Sequence, residues 1–326
     1  MTTAQLPGIK RKYPQSHLSW ITLKGAKPLL DNNPALDRVY EWNDENRMIL
    51  MAMTFDVVMN ADKNANSSAF TMNLNAEQKL GFGLNENGAI IPLNEGAIYN
   101  YRMGLDDDLK FRRNQKTGQE ILAETFDLDY QRDPYILNLS EEENQFCDES
   151  RKKYLLDDAE LVVGFNTGCS ADFPNKKMTI EQHVGLIQQL LNFSNKIKIL
   201  LLGGKAETEW NQEINRRVGR RVIETPTTLG VRRGLCFINL CDVVVTGDTS
   251  GLHMAIGLGK YIVAWFGMTP AAEIDLYDRG VKIISDVDCA PCWKRDCPDP
   301  ICLTNLNLDL IFQGIVDFYH QHKVAP

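Results

Sequence analysis

The sequence has no hydrophobic run long enough to cross a bilayer, and its longest apolar runs have the length of strands. Its first residues, MTTAQLPGIKRKYP, lack the apolar core that a secretory signal peptide requires. We therefore expect a chain without a transmembrane segment that stays in the cytoplasm.

Basic residues are also fewer than acidic residues. The chain has 35 Lys and Arg residues against 43 Asp and Glu residues, a net charge of -8 at pH 7. Non-specific binding of nucleic acid needs a broad basic face that contacts phosphates. This composition argues against a nucleic-acid partner.

Two further features are missing. Eight cysteines in 326 residues do not suggest a secreted disulfide framework, which belongs to much shorter chains. No G-x-G-x-x-G motif follows a strand, which argues against a nucleotide-dependent oxidoreductase built on a Rossmann pattern.

The second half of the sequence alternates apolar strands with helices. The predicted strands are ELVVGFN, KIKILLLGG, CDVVVTG, YIVAWFG and VKIIS, and helices are predicted over 179–193, 207–218 and 308–322. Near-continuous runs of Val, Leu and Ile are typical of parallel strands buried on both faces. This half is predicted to be Rossmann-like.

The first half is less regular. LSWITLK and TFDVVMN are predicted strands, while the segment between them carries Pro and Asn turn signals. A helical segment ends near Asp157, just before a strong strand. We therefore expect two α/β domains, residues 1–157 with a smaller or irregular sheet and residues 158–326.

The stretch TGDTSGLH, residues 246–253, lies between a predicted strand and a short helix. The first N–H groups of a helix are unpaired and its dipole is positive there, so this turn favours an anion such as a phosphate. Asp248 is better suited to neutral hydroxyl groups, which a sugar would supply. The structural alternative is that Asp248 and Thr249 cap the helix.

Two strings, GDTSGLHMAIGLGKYIVAWFGMTPAAE and DCAPCWKRDCPDPICLTNL, resemble glycosyltransferase family 9, which includes the ADP-heptose:lipopolysaccharide heptosyltransferases. The resemblance implies a GT-B fold, with two Rossmann-like domains facing each other across a cleft. It also implies inverting transfer of a heptose or related sugar from ADP-heptose or another nucleotide-diphosphate sugar.

The resemblance implies a donor site in the C-terminal domain. Asp248 would bind the sugar hydroxyls, and the diphosphate would meet the amides of the following turn and a lysine of NKKMT, where Met178 and Thr179 replace a Trp-Pro pair. Glu207, with Glu209 as the alternative, would bind the donor ribose. The remaining implied donor-site residues are Thr249, Ser250, Gly251, His253, Lys176 or Lys177, Asn166, Thr167 and Gly204.

The resemblance implies a lipopolysaccharide-type glycolipid acceptor and no required cofactor. A position at the inner face of the cytoplasmic membrane is therefore an alternative to a purely cytoplasmic one. The basic residues Lys10, Arg11 and Lys12 either face this anionic acceptor or decorate the end of a helix.

The family's catalytic aspartate lies in a loop after a first strand, and this sequence is expected to start within the helix that follows that loop. The catalytic base is therefore unassigned, and an N-terminal truncation is expected. The competing hypothesis is a non-catalytic nucleotide-sugar binding protein. Which sugar, acceptor and oligomeric state apply is left open.

A C-x-x-C pair and two more cysteines lie close together near the end: Cys289, Cys292, Cys297 and Cys302. Four thiolates could hold a tetrahedral zinc ion. Free thiols or disulfides without a metal and an iron–sulfur cluster are the alternatives. The resemblance favours a loop whose cysteines take no part in the transfer chemistry.

Overall fold

A computed structural model describes residues 1–324, which fold into two compact α/β units. The first unit comprises residues 1–136 and 272–275, and the second comprises residues 137–271 and the chain from residue 276 onward. The chain therefore passes from one unit to the other three times.

The first unit contains two small sheets instead of one. Its strands are β1 (Ser19–Thr22), β2 (Arg38–Glu41), β3 (Thr54–Asn60), β4 (Asn75–Leu84) and β5 (Ile90–Pro92). Strands β1 and β2 form a parallel pair, while β4 pairs in parallel with β3 and antiparallel with β5. This arrangement agrees with the irregular first half expected from the sequence.

The helices of the first unit are short. They are α1 (Leu6–Lys12), α2 (Asp44–Met51), α3 (Ala65–Asn73), α4 (Ala97–Met103) and α5 (Gly118–Thr125), with a 3-10 turn at Thr2–Gln5. Leu6 and Ile9 of α1 pack against Leu80 and Phe126 in the main core of this unit. The helix expected at the start of the sequence is thus confirmed.

The segment 272–275 rejoins the first unit after a long excursion through the second. Its Asp275 is buried and accepts two hydrogen bonds from the guanidinium of Arg132, at 2.7 and 2.9 Å. A bidentate pair of this kind fixes geometry as well as charge. It anchors the returning segment beside the end of the first stretch of the unit.

The second unit is built on six parallel strands in the order β11-β10-β9-β6-β7-β8. They are β6 (Leu161–Asn166), β7 (Ile197–Leu202), β8 (Ile223–Glu224), β9 (Val243–Gly247), β10 (Tyr261–Phe266) and β11 (Gly280–Ile284). The helices are α6 (Glu141–Lys153), α7 (Ile180–Phe193), α8 (Thr208–Arg217), α9 (Gly230–Asn239), α10 (Ser250–Gly257), α11 (Ile301–Thr304) and α12 (Leu308–Val324).

The central strands are buried on both faces, as their apolar sequences predict. The predicted helix over 179–193 is also confirmed, since Thr179 caps α7 and forms a capping box with Gln182. The parallel sheet and crossover helices make this unit Rossmann-like.

The division between the units falls after Ile136, whereas the sequence places a domain boundary near Asp157. Helix α6, which lies between these points, belongs to the second unit. Its Cys147 thiol donates to the carbonyl of Cys236 in α9, and its Glu143 pairs with Arg232 of the same helix. These contacts join α6 to the second unit.

Candidate functional site

The candidate site lies in the second unit, where the strand order reverses. From β6 the chain proceeds outward through β7 and β8, then returns to the other side of β6 with β9 and continues to β11. The carboxyl ends of β6 and β9 are therefore neighbours at a topological switch point. Open α/β sheets bind ligands at this position.

Asn166, the last residue of β6, joins the two loops that meet there. Its side-chain amide donates to the hydroxyl of Thr246 at 3.0 Å and to that of Thr249 at 2.9 Å, and lies 3.2 Å from the Gly168 carbonyl. One side chain thus links the loop after β6 to the loop after β9.

Helix α10 begins without a side-chain cap. Thr249 occupies the N-cap position in extended conformation, but its hydroxyl is bound by Asn166 and makes no capping hydrogen bond. The side chains of Asp248 and Thr249 therefore do not cap the helix, in contrast to the structural alternative for these residues. Ser250 is exposed in the first turn, so the amino end of α10 combines backbone N–H groups with a positive dipole.

Asp248 faces a lysine across this turn. The Lys176 ammonium lies 3.1 Å from one Asp248 carboxylate oxygen, and both side chains are largely shielded from solvent. The other carboxylate oxygen lies 3.9 Å from Nε2 of His253 in the first turn of α10. The site thus places one acid, one cation and one imidazole beside a helix N-terminus.

Two glycines allow this close assembly. A Cβ at Gly251 would lie 2.6 Å from the Asn166 side chain, and a Cβ at Gly247 would lie 2.5 Å from the Lys176 carbonyl oxygen. No side chain fits at either position without movement of its neighbours. The glycines of TGDTSG therefore serve close packing between loops.

The two candidate lysines have different surroundings. Lys176 ends a 3-10 turn at Pro174–Lys176 and pairs with Asp248, whereas the ammonium of Lys177 lies 4.1 Å from the centroid of the Trp210 ring. Met178 is buried in the core next to them. Of the two, Lys176 is the lysine that the structure brings to Asp248.

Three other residues predicted for the donor site, among them the ribose candidate Glu207, make contacts within the protein. Thr167 is wholly buried, and its hydroxyl contacts the Leu202 carbonyl and the Asn211 side chain. The carboxylate of Glu207 is also buried and accepts a hydrogen bond from the N–H of Gly204 at 2.9 Å. These contacts stabilise the loops after β6 and β7. Glu209, the alternative to Glu207, lies in the first turn of α8.

The four clustered cysteines are free thiols that range from exposed Cys289 to buried Cys302. Between residues 1 and 324, no group of three or more His, Cys, Asp or Glu side chains is arranged to hold a metal ion.

The basic residues of α1 make contacts inside the first unit. Arg11 forms a bidentate pair with Asp133, Lys12 donates to the Asp127 carbonyl, and Lys10 donates to the Ser16 carbonyl. These contacts favour the alternative in which the cations decorate a helix end. In the described chain, no helix combines the length and apolarity that crossing a membrane demands.

Three residues of the site were missed by the sequence reasoning. Thr246 was within the motif but not assigned a role, and Phe173 and Trp293 were not connected to Lys176, beside which both lie. The sequence did offer one indication for Trp293. It directly follows Cys292, so a large ring lies within the cysteine-rich segment.

A family model and several solved structures match this chain. The model of glycosyltransferase family 9 (heptosyltransferase) matches residues 47–301. A glycosyl transferase family 9 structure from Veillonella parvula is 15% identical, with a TM-score of 0.78 over 98% of this chain and 93% of that chain. Comparison with curated protein sequences found no match.

Two solved structures from E. coli are also similar. ADP-heptose lps heptosyltransferase II is 15% identical, with a TM-score of 0.67 over 99% of this chain and 95% of that chain. Heptosyltransferase WaaC with ADP is 16% identical, with a TM-score of 0.63 over 97% of this chain and 95% of that chain. At such identities the likeness shows the fold, which is of the GT-B class.

Proposed function

Because the chain belongs to glycosyltransferase family 9 and is therefore a glycosyltransferase, we propose that it transfers a heptose or a related sugar from a nucleotide-diphosphate sugar. The proposed acceptor is a hydroxyl group of a lipopolysaccharide-type glycolipid, and the proposed reaction inverts the anomeric carbon. The pairing of Lys176 with Asp248 at the start of α10 carries this proposal.

The donor would bind with its diphosphate at the amino end of α10. Two adjacent phosphates bring at least two negative charges, which the helix dipole and the Lys176 ammonium can balance. Lys176 is already held at this end by Asp248, so little side-chain freedom is lost on binding. We propose that donor binding and sugar transfer need no cofactor.

Asp248 would orient the sugar. A carboxylate accepts hydrogen bonds from two hydroxyl groups, and its charge is offset by Lys176 even before the donor arrives. His253 would contact the diphosphate from the first turn of α10. Asn166 would keep the two loops in register, since it binds Thr249.

In the chemical step, the acceptor oxygen would attack the anomeric carbon as its bond to the phosphate oxygen breaks. The leaving nucleoside diphosphate gains one negative charge, which the α10 amides and Lys176 would stabilise where it develops. The acceptor hydroxyl gives its proton to a base, a role for which we assign no residue. We propose a cytoplasmic reaction at the membrane face that presents the acceptor.

Donor binding and transfer test this proposal. ADP-heptose and UDP- and GDP-linked sugars would be titrated into the wild type, Asp248→Asn and Lys176→Met by calorimetry, and transfer to a lipopolysaccharide core acceptor would be followed by mass spectrometry. We expect one sugar nucleotide to bind the wild type and both variants to bind it at least tenfold more weakly. Lys196→Met is the matched control, because Lys196 also pairs with an acid, Glu160, but lies just before the amino end of β7.

Each outcome distinguishes the alternatives. Binding followed by transfer supports the glycosyltransferase of the proposed class, and transfer from another sugar nucleotide corrects the donor. Binding without product, under conditions in which a known heptosyltransferase acts, would favour the non-catalytic binding protein. If no sugar nucleotide binds, or if Asp248→Asn binds as tightly as the wild type, the proposed donor site is wrong.

A further inference from the structure

Two aromatic rings enclose the ammonium group that pairs with Asp248. The Lys176 nitrogen lies 5.0 Å from the centroid of the Phe173 ring and 5.3 Å from that of the Trp293 ring. Both distances are within the range of cation–π attraction. The two rings also contact each other edge to face, with centroids 5.4 Å apart.

Trp293 reaches this position from the cysteine-rich segment, residues 289–302. The backbone N–H groups of Trp293 and Cys292 both donate to the carbonyl of Met268, just after β10, at 2.9 and 3.0 Å. Trp293 has a φ of 53°, an unusual value for a bulky residue, which persists only where surrounding contacts fix the backbone. The backbone that carries the indole is therefore fixed, although Trp293 is 40% exposed.

This enclosure has a physical consequence for Lys176. An exposed Lys–Asp pair is weak, because water screens it and the long lysine side chain samples many rotamers. Two ring walls exclude water from the ammonium and restrict its rotamers, which strengthens its pairing with Asp248. The rings carry no net charge, so they do not neutralise the ammonium as a second acid would.

The neighbouring lysine shows that this arrangement is specific. Lys177 also lies over an aromatic ring, that of Trp210, but Lys176 has two rings and the acid at the start of α10. A third cation, the guanidinium of Arg295, lies 5.4 Å from the Phe173 centroid and comes from the same segment as Trp293. The cysteine-rich segment thus supplies two residues to the surroundings of Lys176.

We propose that Trp293 is a positioning residue of the donor site. Together with Phe173 it holds the Lys176 ammonium at Asp248, in the place where the donor diphosphate binds, and this makes the cysteine-rich segment part of the nucleotide-sugar site. The inference rests on the proposed function, because it acts through the donor lysine.

A double-mutant cycle tests it. The wild type, Trp293→Ala, Trp293→Leu, Trp293→Phe, Lys176→Met and the double variant Trp293→Leu/Lys176→Met would be titrated with the sugar nucleotide that the wild type binds. KM and kcat would be measured in the transfer assay. We expect Trp293→Ala and Trp293→Leu to weaken binding about tenfold, or 1.4 kcal/mol, and to raise KM more than they lower kcat.

Two comparisons separate positioning from structure. Trp293→Phe keeps a ring face and is expected to retain most of the affinity, while in the Lys176→Met background the loss of Trp293 is expected to add no further weakening. Trp42→Ala is the matched control, because Trp42 also contacts a phenylalanine ring, that of Phe70, and a cation, Arg47, in the first unit. It is expected to leave donor affinity unchanged.

The results that would overturn the inference are distinct from those that would overturn the proposed function. If the wild type binds donor and the effects of Trp293→Leu and Lys176→Met on affinity are additive, Trp293 does not act through Lys176. If Trp293→Phe loses as much affinity as Trp293→Leu, the ring face is not what matters. A wild type that binds no sugar nucleotide would overturn the proposed function and this inference with it.

Discussion

The side-chain amide of Asn166 at the end of β6 donates to the hydroxyl of Thr249 at the start of α10, over 2.9 Å. Two loops separated by 83 positions in the sequence are joined by this bond. The bond also takes the Thr249 hydroxyl away from the capping role that its position suggests. The first N–H groups of the helix are thereby left without a side-chain cap.

Replacement of Asn166 is expected to weaken both folding and donor binding. Asn166→Ala removes the hydrogen bonds that the side-chain amide donates to Thr246 and Thr249. This loss should lower the free energy of unfolding by about 1–2 kcal/mol. Asn166→Asp places a negative charge beside the proposed diphosphate position and should weaken sugar-nucleotide binding further. Urea unfolding and calorimetry measure the two effects. Asn73→Ala, at an exposed position of α3, is the control; equal binding by all variants would contradict the prediction.

Gly251 is expected to tolerate no larger residue. A Cβ there would lie 2.6 Å from the Asn166 side chain, so Gly251→Ala should lower the free energy of unfolding by about 1–3 kcal/mol and disturb the site. The matched change is Gly185→Ala in α7, where a Cβ has open space. This control should stabilise the protein by up to about 1 kcal/mol because alanine favours a helix. Thermal unfolding compares them, and a stable Gly251→Ala protein would refute the packing argument.

The Glu143–Arg232 pair is expected to contribute stability that is lost in acid. The hydrogen bond from Arg232 is the main cause that lowers the pKa of Glu143 from its usual value of 4.5. A carboxyl group with a lowered pKa stabilises the fold above its unfolded-state pKa, and this contribution disappears as the pH falls below about 4.5 through the folded-state pKa. The two side chains are only 12% and 15% exposed, so the pair is shielded.

Glu143→Gln should therefore lower the free energy of unfolding by about 3 kcal/mol at pH 7, with a smaller difference from the wild type at pH 3.5. Glutamine preserves the capping box with Ser140, which isolates the effect of the charge. Glu142→Gln is the control, because Glu142 pairs with Arg233 but is 81% exposed. Urea unfolding at both pH values checks this, and equal losses for both variants would contradict it.

His183 is expected to make the fold sensitive to mild acid. Burial lowers the pKa of His183 from 6.5 to about 4. Between these values the unfolded chain binds a proton that the folded chain does not, so stability falls as the pH drops from about 6.5 toward 4. At pH 5 this group removes about 2 kcal/mol of stability relative to pH 7.5.

His183→Leu should reduce this loss, so that its stability changes less between pH 7.5 and pH 5 than that of the wild type. The hydrogen bond between Nδ1 and the Thr179 carbonyl is lost at both pH values and therefore cancels in the comparison. Gln189→Leu, at an exposed position of α7, is the control and should leave the pH dependence unchanged, because a glutamine side chain does not titrate. Chemical unfolding at the two pH values measures it. An unchanged slope for His183→Leu would show that His183 is not the group responsible.

The sequence predicted the central sheet of the second unit well because its strands are apolar on both faces, a property of the local composition. The predicted domain boundary lay near Asp157 because nothing in the sequence of α6 indicates that this helix packs against α9. The contacts of Cys147 and Glu143 with α9 span about ninety residues and become visible only in the folded chain.

The arrangement of the candidate site could be predicted only in part, for a similar reason. Adjacent residues of an extended chain point to opposite faces, and nothing in the sequence showed which of Asn166 and Thr167 would face the loops. The structure buries Thr167 and leaves Asn166 at the loops. Trp293 was missed because its contact with Lys176 depends on the fold of the cysteine-rich segment.

The return of residues 272–275 to the first unit limits how this protein can be divided or recombined. A hybrid that exchanges the second unit needs three junctions instead of one, because the first unit is assembled from two separate parts of the chain. A fragment that begins at residue 137 would carry Asp275 without Arg132 and would expose a carboxylate that is buried in the full chain. A hybrid of two related proteins should therefore take both Arg132 and Asp275 from the same parent protein.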